Sequence, residues 1–266
     1  MPVRALIAAG ELFGIGQNGI RVEIARLMAR GLITRDQRGQ YRFADASEAV
    51  QDRVASWTQI DERLVDWDGS WIAVHTAALA RGRGPALKLR ERAFGFLGFR
   101  EFTTNLWIRP QNLRGGVGEV RRQLHALGLD PSAPVFAMAE LDTEAETAAR
   151  ALWDVRTLLA RYRKMRRTLE ESERHVSRLP VEQAMAETFL LGGRGIRMLT
   201  FDPLLPTPII PSAERASFVR AMRRYNRIGR KCWSAFMRAH GAPHLRSPVN
   251  LRVVSDAGDL PAVAGA

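Results

Sequence analysis

Cysteine, lysine and long apolar runs are scarce in this chain of 266 residues. Cys232 is the only cysteine, which excludes a disulfide within the chain and a metal site built from several thiolates. The chain has no run of about 18 apolar residues and no basic-then-apolar leader, so we expect a cytoplasmic protein without membrane contact. The five histidines have no HExxH-type spacing, and we expect neither a metal nor a cofactor.

Positive charge, by contrast, is abundant. The chain has 40 Lys+Arg against 28 Asp+Glu, a formal net charge of +12, and only three of the basic residues are lysines. Arginine binds phosphates and guanine bases through paired hydrogen bonds. The excess favours a polyanionic partner, which leaves nucleic acid, an anionic membrane or a phosphate-rich ligand as alternatives.

Two helices separated by a glycine turn are predicted at the start of the chain. The first is PVRALIAAGELFG, and the second, QNGIRVEIARLMARG, follows the turn Gly14-Ile15-Gly16. One face of the second helix is apolar by helical spacing and carries Ile20, Ile24, Leu27 and Met28. The other face carries side chains of the types that reach bases and phosphates in a major groove: Gln17, Asn18, Arg21, Glu23 and Arg30.

A short hairpin is predicted after these helices, from Leu32–Thr34 and Gln40–Phe43. Gly39 permits a tight turn between the strands, and three arginines that suit phosphate contact flank it: Arg35, Arg38 and Arg42. Helix, turn, helix and hairpin together predict a winged helix-turn-helix that binds DNA. The alternative is a surface helical hairpin that contacts no nucleic acid.

The centre of the chain predicts a small α+β layer after a linker. Residues 44–63 read as a helical linker whose buried edge is Val50, Val54 and Trp57. Strands are predicted at 71–75, 101–110 and 134–141, with helices at 85–99 and 117–128 between them. This order favours a split βαβ layer of ferredoxin-like type. A further strand, which the pattern does not locate clearly, is expected around 108–116.

The rest of the chain predicts helices at 144–171, at 180–200 with a break near Gly192-Gly193, and at 212–240. The fold class is therefore α+β and mostly helical. The predicted domains are a winged helix-turn-helix at 1–46, a helical linker at 47–66, a ferredoxin-like α+β domain at 67–142, a helical C-terminal domain at 143–250 and a flexible tail at 251–266.

Three stretches of the sequence resemble the PaaX-type repressors of phenylacetic acid degradation. They are GIRVEIARLMARGLITRDQRGQYRF, GFLGFREFTTNLWIRPQNL, and FDPLLPTPIIP followed by a basic helix. The resemblance implies a DNA-binding repressor, usually dimeric, whose inducer is an aryl-acyl coenzyme A. It also implies a middle domain similar to a ferredoxin-like nuclease of CRISPR systems.

The resemblance adds roles for particular residues. Arg21 matches the arginine that begins the family's recognition helix, and Arg26 matches the arginine before its core leucine. Arg38, Gly39 and Tyr41 match the family's wing. The predicted DNA-contacting set is therefore Gln17, Asn18, Arg21, Arg26, Arg30, Arg35, Arg38, Gln40, Tyr41 and Arg42.

The sequence departs from the family pattern at two points. The family has another helix before the one that begins here at Pro2, so we expect a marginal DNA-binding unit. Either the linker around Trp57 fills that gap, or the true start lies upstream. The related nucleases need an aspartate at the end of their first strand, but residues 71–79 contain no acid, so we expect no metal nuclease.

The leading hypothesis is a homodimeric, ligand-responsive transcriptional repressor of an aromatic-acid pathway, which binds operator DNA and has no catalytic residue. Arg223 and Arg227 in the basic C-terminal helix are candidates for binding the phosphates of an acyl coenzyme A effector. Two alternatives stay open. One is an enzyme, a nuclease or a coenzyme A thioesterase, and the other is an interaction protein whose degenerate helix-turn-helix contacts no DNA.

Overall fold

The computed structural model describes residues 1–36, 40–45, 48–79 and 84–241. The protein is an α+β protein in which helices predominate. Two predictions lie outside the described residues: the turn that contains Arg38 and Gly39, and the tail at 251–266. Within the described ranges, no helix is long and apolar enough to cross a membrane.

Two helices and a hairpin form a small N-terminal unit. The helices are α1 (Val3–Glu11) and α2 (Gln17–Ala29), and the strands β1 (Ile33–Arg35) and β2 (Tyr41–Phe43) pair antiparallel. The buried core of the unit is Ile24, Leu27 and Ile33. The placement of Met28 on the apolar face was wrong, because its position about 100° around the helix from Leu27 leaves it 41% exposed.

The linker consists of α3 (Glu48–Ala55) and a 3₁₀ segment (Ser56–Arg63). The predicted buried edge is confirmed, since Val50, Val54 and Trp57 are each at most 5% exposed. These three side chains join the large core of the protein and not the cluster of the N-terminal unit. The linker around Trp57 therefore does not fill a gap in that unit.

A four-stranded sheet follows, built from β3 (Trp71–His75), β4 (Arg100–Thr103), β5 (Leu106–Pro110) and β6 (Val135–Met138). The helices α4 (Pro85–Leu97) and α5 (Gly116–Ala126) connect its strands in the order β-α-β-β-α-β. The strands are ordered β4-β5-β3-β6, and every neighbouring pair is antiparallel. The first four residues of β3 are fully buried, so the core is centred on this strand.

The prediction of one strand at 101–110 and another around 108–116 was wrong. Residues 101–110 contain two strands, β4 and β5, because the chain reverses at Thr104-Asn105. Asn105 has φ of 65°, a left-handed conformation that asparagine tolerates better than most residues. Its backbone N–H donates to Glu101 Oε1 at 2.9 Å, which supports the turn.

Four further helices follow in the described part of the chain: α6 (Thr143–Arg150), α7 (Val155–His175), α8 (Val181–Thr200) and α9 (Ser212–Ala239). The single helix predicted at 144–171 is divided, and Asp154 caps α7 by accepting from Thr157 N at 2.9 Å. The break predicted at Gly192-Gly193 does not occur. A Cβ at the nearby Gly195 would lie 2.5 Å from Met222 Sδ, so here glycine permits close packing of α8 on α9.

A buried polar group lies where α7 meets the loop after α8. Asp202 is 2% exposed and accepts from Tyr162 Oη at 2.6 Å and from Leu204 N at 2.8 Å. Burial raises the pKa of the Asp202 carboxyl, and burial together with the nearby Asp202 raises the pKa of the Tyr162 hydroxyl. The Asp202 carboxylate is therefore one of the groups that hold this loop in place.

An aromatic row links the N-terminal unit to α8 and α9. The ring of Phe13 lies 5.1 Å from that of Phe189, which in turn lies 5.6 Å from Trp233. Trp233 contacts Phe236 at 5.4 Å, and Phe236 stacks on His240 at 4.1 Å. Aromatic pairs at these separations are attractive beyond the area that they bury. The unit is therefore attached to the helices by side chains as well as by the linker.

Candidate nucleic-acid interface

The predicted DNA-contacting residues on α2 and at its C-terminal end are all exposed, namely Gln17, Asn18, Arg21, Arg26 and Arg30. Glu23, also predicted on the polar face, is half-buried. The helix begins after Gly16, without a side-chain cap and without an acidic residue in its first turn. Its first backbone N–H groups and the positive end of its dipole therefore face solvent beside Gln17 and Asn18. A helix end of this kind attracts phosphate.

The two central arginines of α2 differ in their surroundings. Arg26 Nη1 lies 3.1 Å from Glu23 Oε2, so its charge is partly balanced by a residue one turn earlier. Arg21 lies nearer the start of the helix, where recognition helices contact base edges. We therefore expect Arg21 to contribute more to DNA binding than Arg26.

Sequence reasoning missed an apolar strip between these arginines. Val22 is 59% exposed, and Ala25 and Ala29 follow it on the same face at helical spacing. Methyl groups on a recognition helix contact the thymine methyl in the major groove. The signal was available, because residues 22, 25 and 29 lie opposite Ile24 and Leu27 in the helical repeat.

The hairpin exposes Arg35, Gln40 and Arg42 and leaves Tyr41 half-buried. The Arg35 guanidinium lies 6.0 Å from the centre of the Tyr41 ring, and Arg42 Nε donates to Thr34 Oγ1 at 3.3 Å. These contacts orient two arginines on adjacent strands. The arrangement presents positive charge beside α2, as contact with a DNA backbone requires.

The first residues of the chain pair with the hairpin, which the sequence did not indicate. Pro2 forms an antiparallel bridge with Gln40, and Tyr41 N donates to Met1 O at 2.9 Å. The Met1 amino group in turn donates to Tyr41 O. This pairing satisfies backbone groups of β2 and fixes the hairpin against the start of α1.

Positive charge continues from α2 towards the sheet domain. Arg92 on α4 is half-buried, and its Nε has no hydrogen-bond partner. Burial, and then the charge of nearby Arg30, lowers the pKa of the Arg92 guanidinium. The mutual repulsion of these two guanidinium groups favours an anion in that region.

The predicted effector residues lie on α9 against the linker. Arg223 Nη1 lies 2.9 Å from Asp61 Oδ2, and Arg223 Nη2 donates to Thr58 O at 2.8 Å. Arg227 is exposed one turn later. The structure therefore brings Arg223 to the 3₁₀ segment of the linker, where it already has partners, while Arg227 faces solvent.

Among the described residues, Ser172, His175 and Cys232 do not form a pair of nucleophile and base. Ser172 is 3% exposed and donates to Glu187, while His175 Nε2 lies 3.0 Å from the same carboxylate, so serine and histidine share an acceptor. Burial raises the pKa of the Cys232 thiol, which disfavours the reactive thiolate. No group of three or more metal-ligating side chains occurs within the described ranges.

Comparison with known proteins identifies no family. No family model matches the chain, and no curated protein matches it. Among solved structures, the chain is similar to the uncharacterized protein Rv0674 from Mycobacterium tuberculosis, at 20% identity and a TM-score of 0.49. The match covers 87% of this chain and 91% of that protein. Function has therefore to be inferred from the residues of this chain.

Proposed function

We propose that the protein is a ligand-responsive DNA-binding repressor of PaaX type that acts as a homodimer. The order of α1, α2 and an antiparallel hairpin supports a winged helix-turn-helix reading of the N-terminal unit. The β-α-β-β-α-β order and the strand order β4-β5-β3-β6 support a ferredoxin-like middle domain. The helices α6 to α9 then form the C-terminal part.

One observation carries the proposal: α2 and the hairpin next to it present exposed arginines and amides together with an uncapped helix start. Such side chains supply both the phosphate contacts that position a protein on DNA and the contacts that read bases. Val22 adds an apolar contact at the centre of the same face. On this reading α2 is the recognition helix and the hairpin is the wing.

Replacing Arg21 by alanine is expected to weaken specific binding by about 1–3 kcal/mol, the contribution of one good base contact. The DNA is the region upstream of the gene that encodes this chain, and the measurement is fluorescence anisotropy at fixed salt. Arg167→Ala is the matched control, because Arg167 is exposed on α7, away from α2. Circular dichroism of both variants should equal that of the wild type.

The salt dependence of DNA binding tests a second variant, in the hairpin. Because Arg42 is exposed on the wing, Arg42→Ala should reduce the slope of log K against log salt by about one. If the affinity for that DNA is unchanged in both Arg21→Ala and Arg42→Ala, then α2 and the hairpin are not the DNA surface. The interaction-protein alternative would then be favoured.

Release of DNA by an aryl-acyl coenzyme A is the expected regulatory response. An inducer must bind the DNA-free state more tightly than the DNA-bound state. If its phosphates bind Arg223 and Arg227, they compete with Asp61 and loosen the contact between α9 and the linker. We expect release at micromolar ligand, since a Kd of about 1 μM corresponds to about −8 kcal/mol.

The controls distinguish the contribution of the ligand's phosphates from that of its aromatic ring. The free aromatic acid should not release the DNA, because it lacks the phosphates, and Arg227→Met, which leaves the Arg223–Asp61 pair intact, should bind DNA normally but need at least several-fold more thioester for release. Equal potency of acid and thioester would refute the phosphate argument. Hydrolysis of the thioester, followed by a thiol reagent, would instead favour the enzyme alternative.

A further inference from the structure

A cavity of about 170 Å³ lies between the linker and α5, away from the DNA-contacting unit. Its polar walls come from α3 and the 3₁₀ segment on one side and from α5 on the other: Asp52, Arg53, Ser56, Arg63, Arg122 and Gln123. Since a water molecule occupies about 30 Å³ in the liquid, the cavity holds several waters or a small ion. Three of the six polar residues are arginines, and one is an acid.

Among the described residues, most donors of Arg53 have no acceptor. The residue is 6% exposed, and neither its Nε nor its Nη1 has a hydrogen-bond partner within that part of the chain. Burial, together with the charges of Arg63 and Arg109, lowers the pKa of Arg53 well below its usual range. A buried cation without an acceptor destabilises the fold, so this position favours binding of a group that supplies acceptors and negative charge.

Arg109 shows how the same protein buries an arginine for purely structural reasons. It is 1% exposed, yet each guanidinium nitrogen donates: Nη1 to Leu97 O at 2.5 Å, Nε to Pro110 O at 3.0 Å and Nη2 to Asn112 Oδ1 at 2.8 Å. Burial, and then the charge of Arg63, still lowers its pKa to about 9. Arg53 is comparably buried and lacks such acceptors, so its role differs.

Among the side chains that the structure describes, the carboxylates near the cavity do not balance its three arginines. Glu119 pairs with Arg122 at 2.6 Å, and Gln123 Nε2 donates to the same carboxylate at 2.6 Å. The carboxyl of Asp202, whose charge reaches Arg53, already accepts from Tyr162 and Leu204. Asp52 on the wall can offset only one of the remaining charges on Arg53 and Arg63.

Arg63 is oriented towards the same space. Its Nη1 donates to Ser56 Oγ at 2.9 Å, and Ser56 Oγ donates to Arg53 O at 2.8 Å, so the two arginines are tied to one segment. Burial lowers the pKa of Arg63 as well. Two partly desolvated guanidinium groups on one wall suit a dianion with several acceptor oxygens better than a monoanionic carboxylate.

We propose that this cavity is a phosphate-binding site, in which Arg53 and Arg63 bind the phosphate oxygens from the linker side. The ligand is inorganic phosphate or the phosphate end of a small metabolite. The site goes beyond the proposed repressor function, because its residues are separate from the DNA surface and from Arg223 and Arg227, and because phosphate binding does not require DNA. Arg53 is the central ligand.

The test is thermal unfolding and isothermal titration calorimetry of the full-length protein with inorganic phosphate, at ionic strength held constant by sodium chloride. The wild-type protein should bind phosphate saturably, with a rise in Tm of about 3 °C at ten times Kd. Arg53→Met should weaken phosphate binding at least tenfold while its Tm without phosphate is equal to or above that of the wild type. Arg161→Met, at an exposed position on α7, should bind like the wild type.

Arg53→Lys keeps the charge but not the guanidinium donors, and it should lose affinity at least several-fold even if the methionine variant does not fold. A titration with adenosine monophosphate distinguishes the two possible ligands, inorganic phosphate and the phosphate end of a metabolite. Tighter binding than inorganic phosphate indicates the phosphate end of a metabolite, and equal or weaker binding indicates the free ion. A titration that does not saturate, or equal stabilisation of the wild type and both Arg53 variants, would overturn the proposal.

Discussion

The isolated fragment 1–46 is expected to be unfolded, with amide hydrogens of residues 3–30 exchanging at nearly random-coil rates. Its core consists of three buried side chains, Ile24, Leu27 and Ile33, and chains of this length rarely fold without a further stabilising element. The fragment also loses the contact between Phe13 and Phe189. Hydrogen exchange followed by mass spectrometry compares the fragment with the same residues of the full-length protein.

The full-length protein is the control, and its α1 and α2 should exchange markedly more slowly. Slow exchange of residues 3–30 in the fragment would show that the unit has enough core by itself. Phe13→Ala in the full-length protein should accelerate exchange in α1 more than in β3, because β3 belongs to the other core. Equal acceleration in both would mean that the aromatic row does not hold the unit.

Replacing Asp202 by alanine is expected to lower the free energy of unfolding by about 3–5 kcal/mol. This is the usual cost of removing one member of a buried pair of charged groups. The substitution leaves Tyr162 Oη and Leu204 N without their acceptor and removes a carboxylate whose charge interacts with Arg215. For a chain of this size the loss corresponds to a fall in Tm of roughly 10 °C. Urea unfolding at pH 7 measures it.

Asp202→Asn is the matched control, because the amide keeps the shape and one oxygen acceptor. We expect it to cost about 1 kcal/mol. Since burial raises the folded-state pKa of Asp202, ionisation opposes folding as pH rises from the unfolded value towards the folded one. The D202N variant should therefore lose less stability than the wild type over that range. If the alanine and asparagine variants have the same free energy of unfolding, the oxygen acceptor that asparagine retains contributes nothing to stability.

Much of the element order was predictable from the sequence, because periodicity and glycine turns depend on local residues. The reversal at Asn105 was missed, since residues 101–110 read as one strand of alternating polarity and a single asparagine decides the turn. The glycines of α8 led to the opposite error, because a break was predicted in a helix that is continuous. Helix breaking is a local property, but Gly195 is explained by Met222, a residue on another helix.

The candidate interface was predictable where exposure follows from helical spacing, as it does for Gln17, Asn18 and Arg21. Val22 was missed because only the polar side chains of that face were considered as contacts to DNA. Arg53 could not have been identified at all. Its burial and missing acceptors arise only when the linker packs on α5 and the large core, and nothing in the residues around it distinguishes it from the other arginines.

The aromatic row that ends at Phe13 also bears on how two copies would meet a DNA duplex. If α2 is the recognition helix, as proposed, the unit that carries it is already fixed to the body by the Phe13 contact when the chain folds, so less orientational entropy would be lost on binding DNA. The same rigidity would narrow the range of half-site spacings that a dimer can bind. In a symmetric dimer the two helices would sit at one fixed separation and angle, and half-sites spaced otherwise would have to bend or twist to fit.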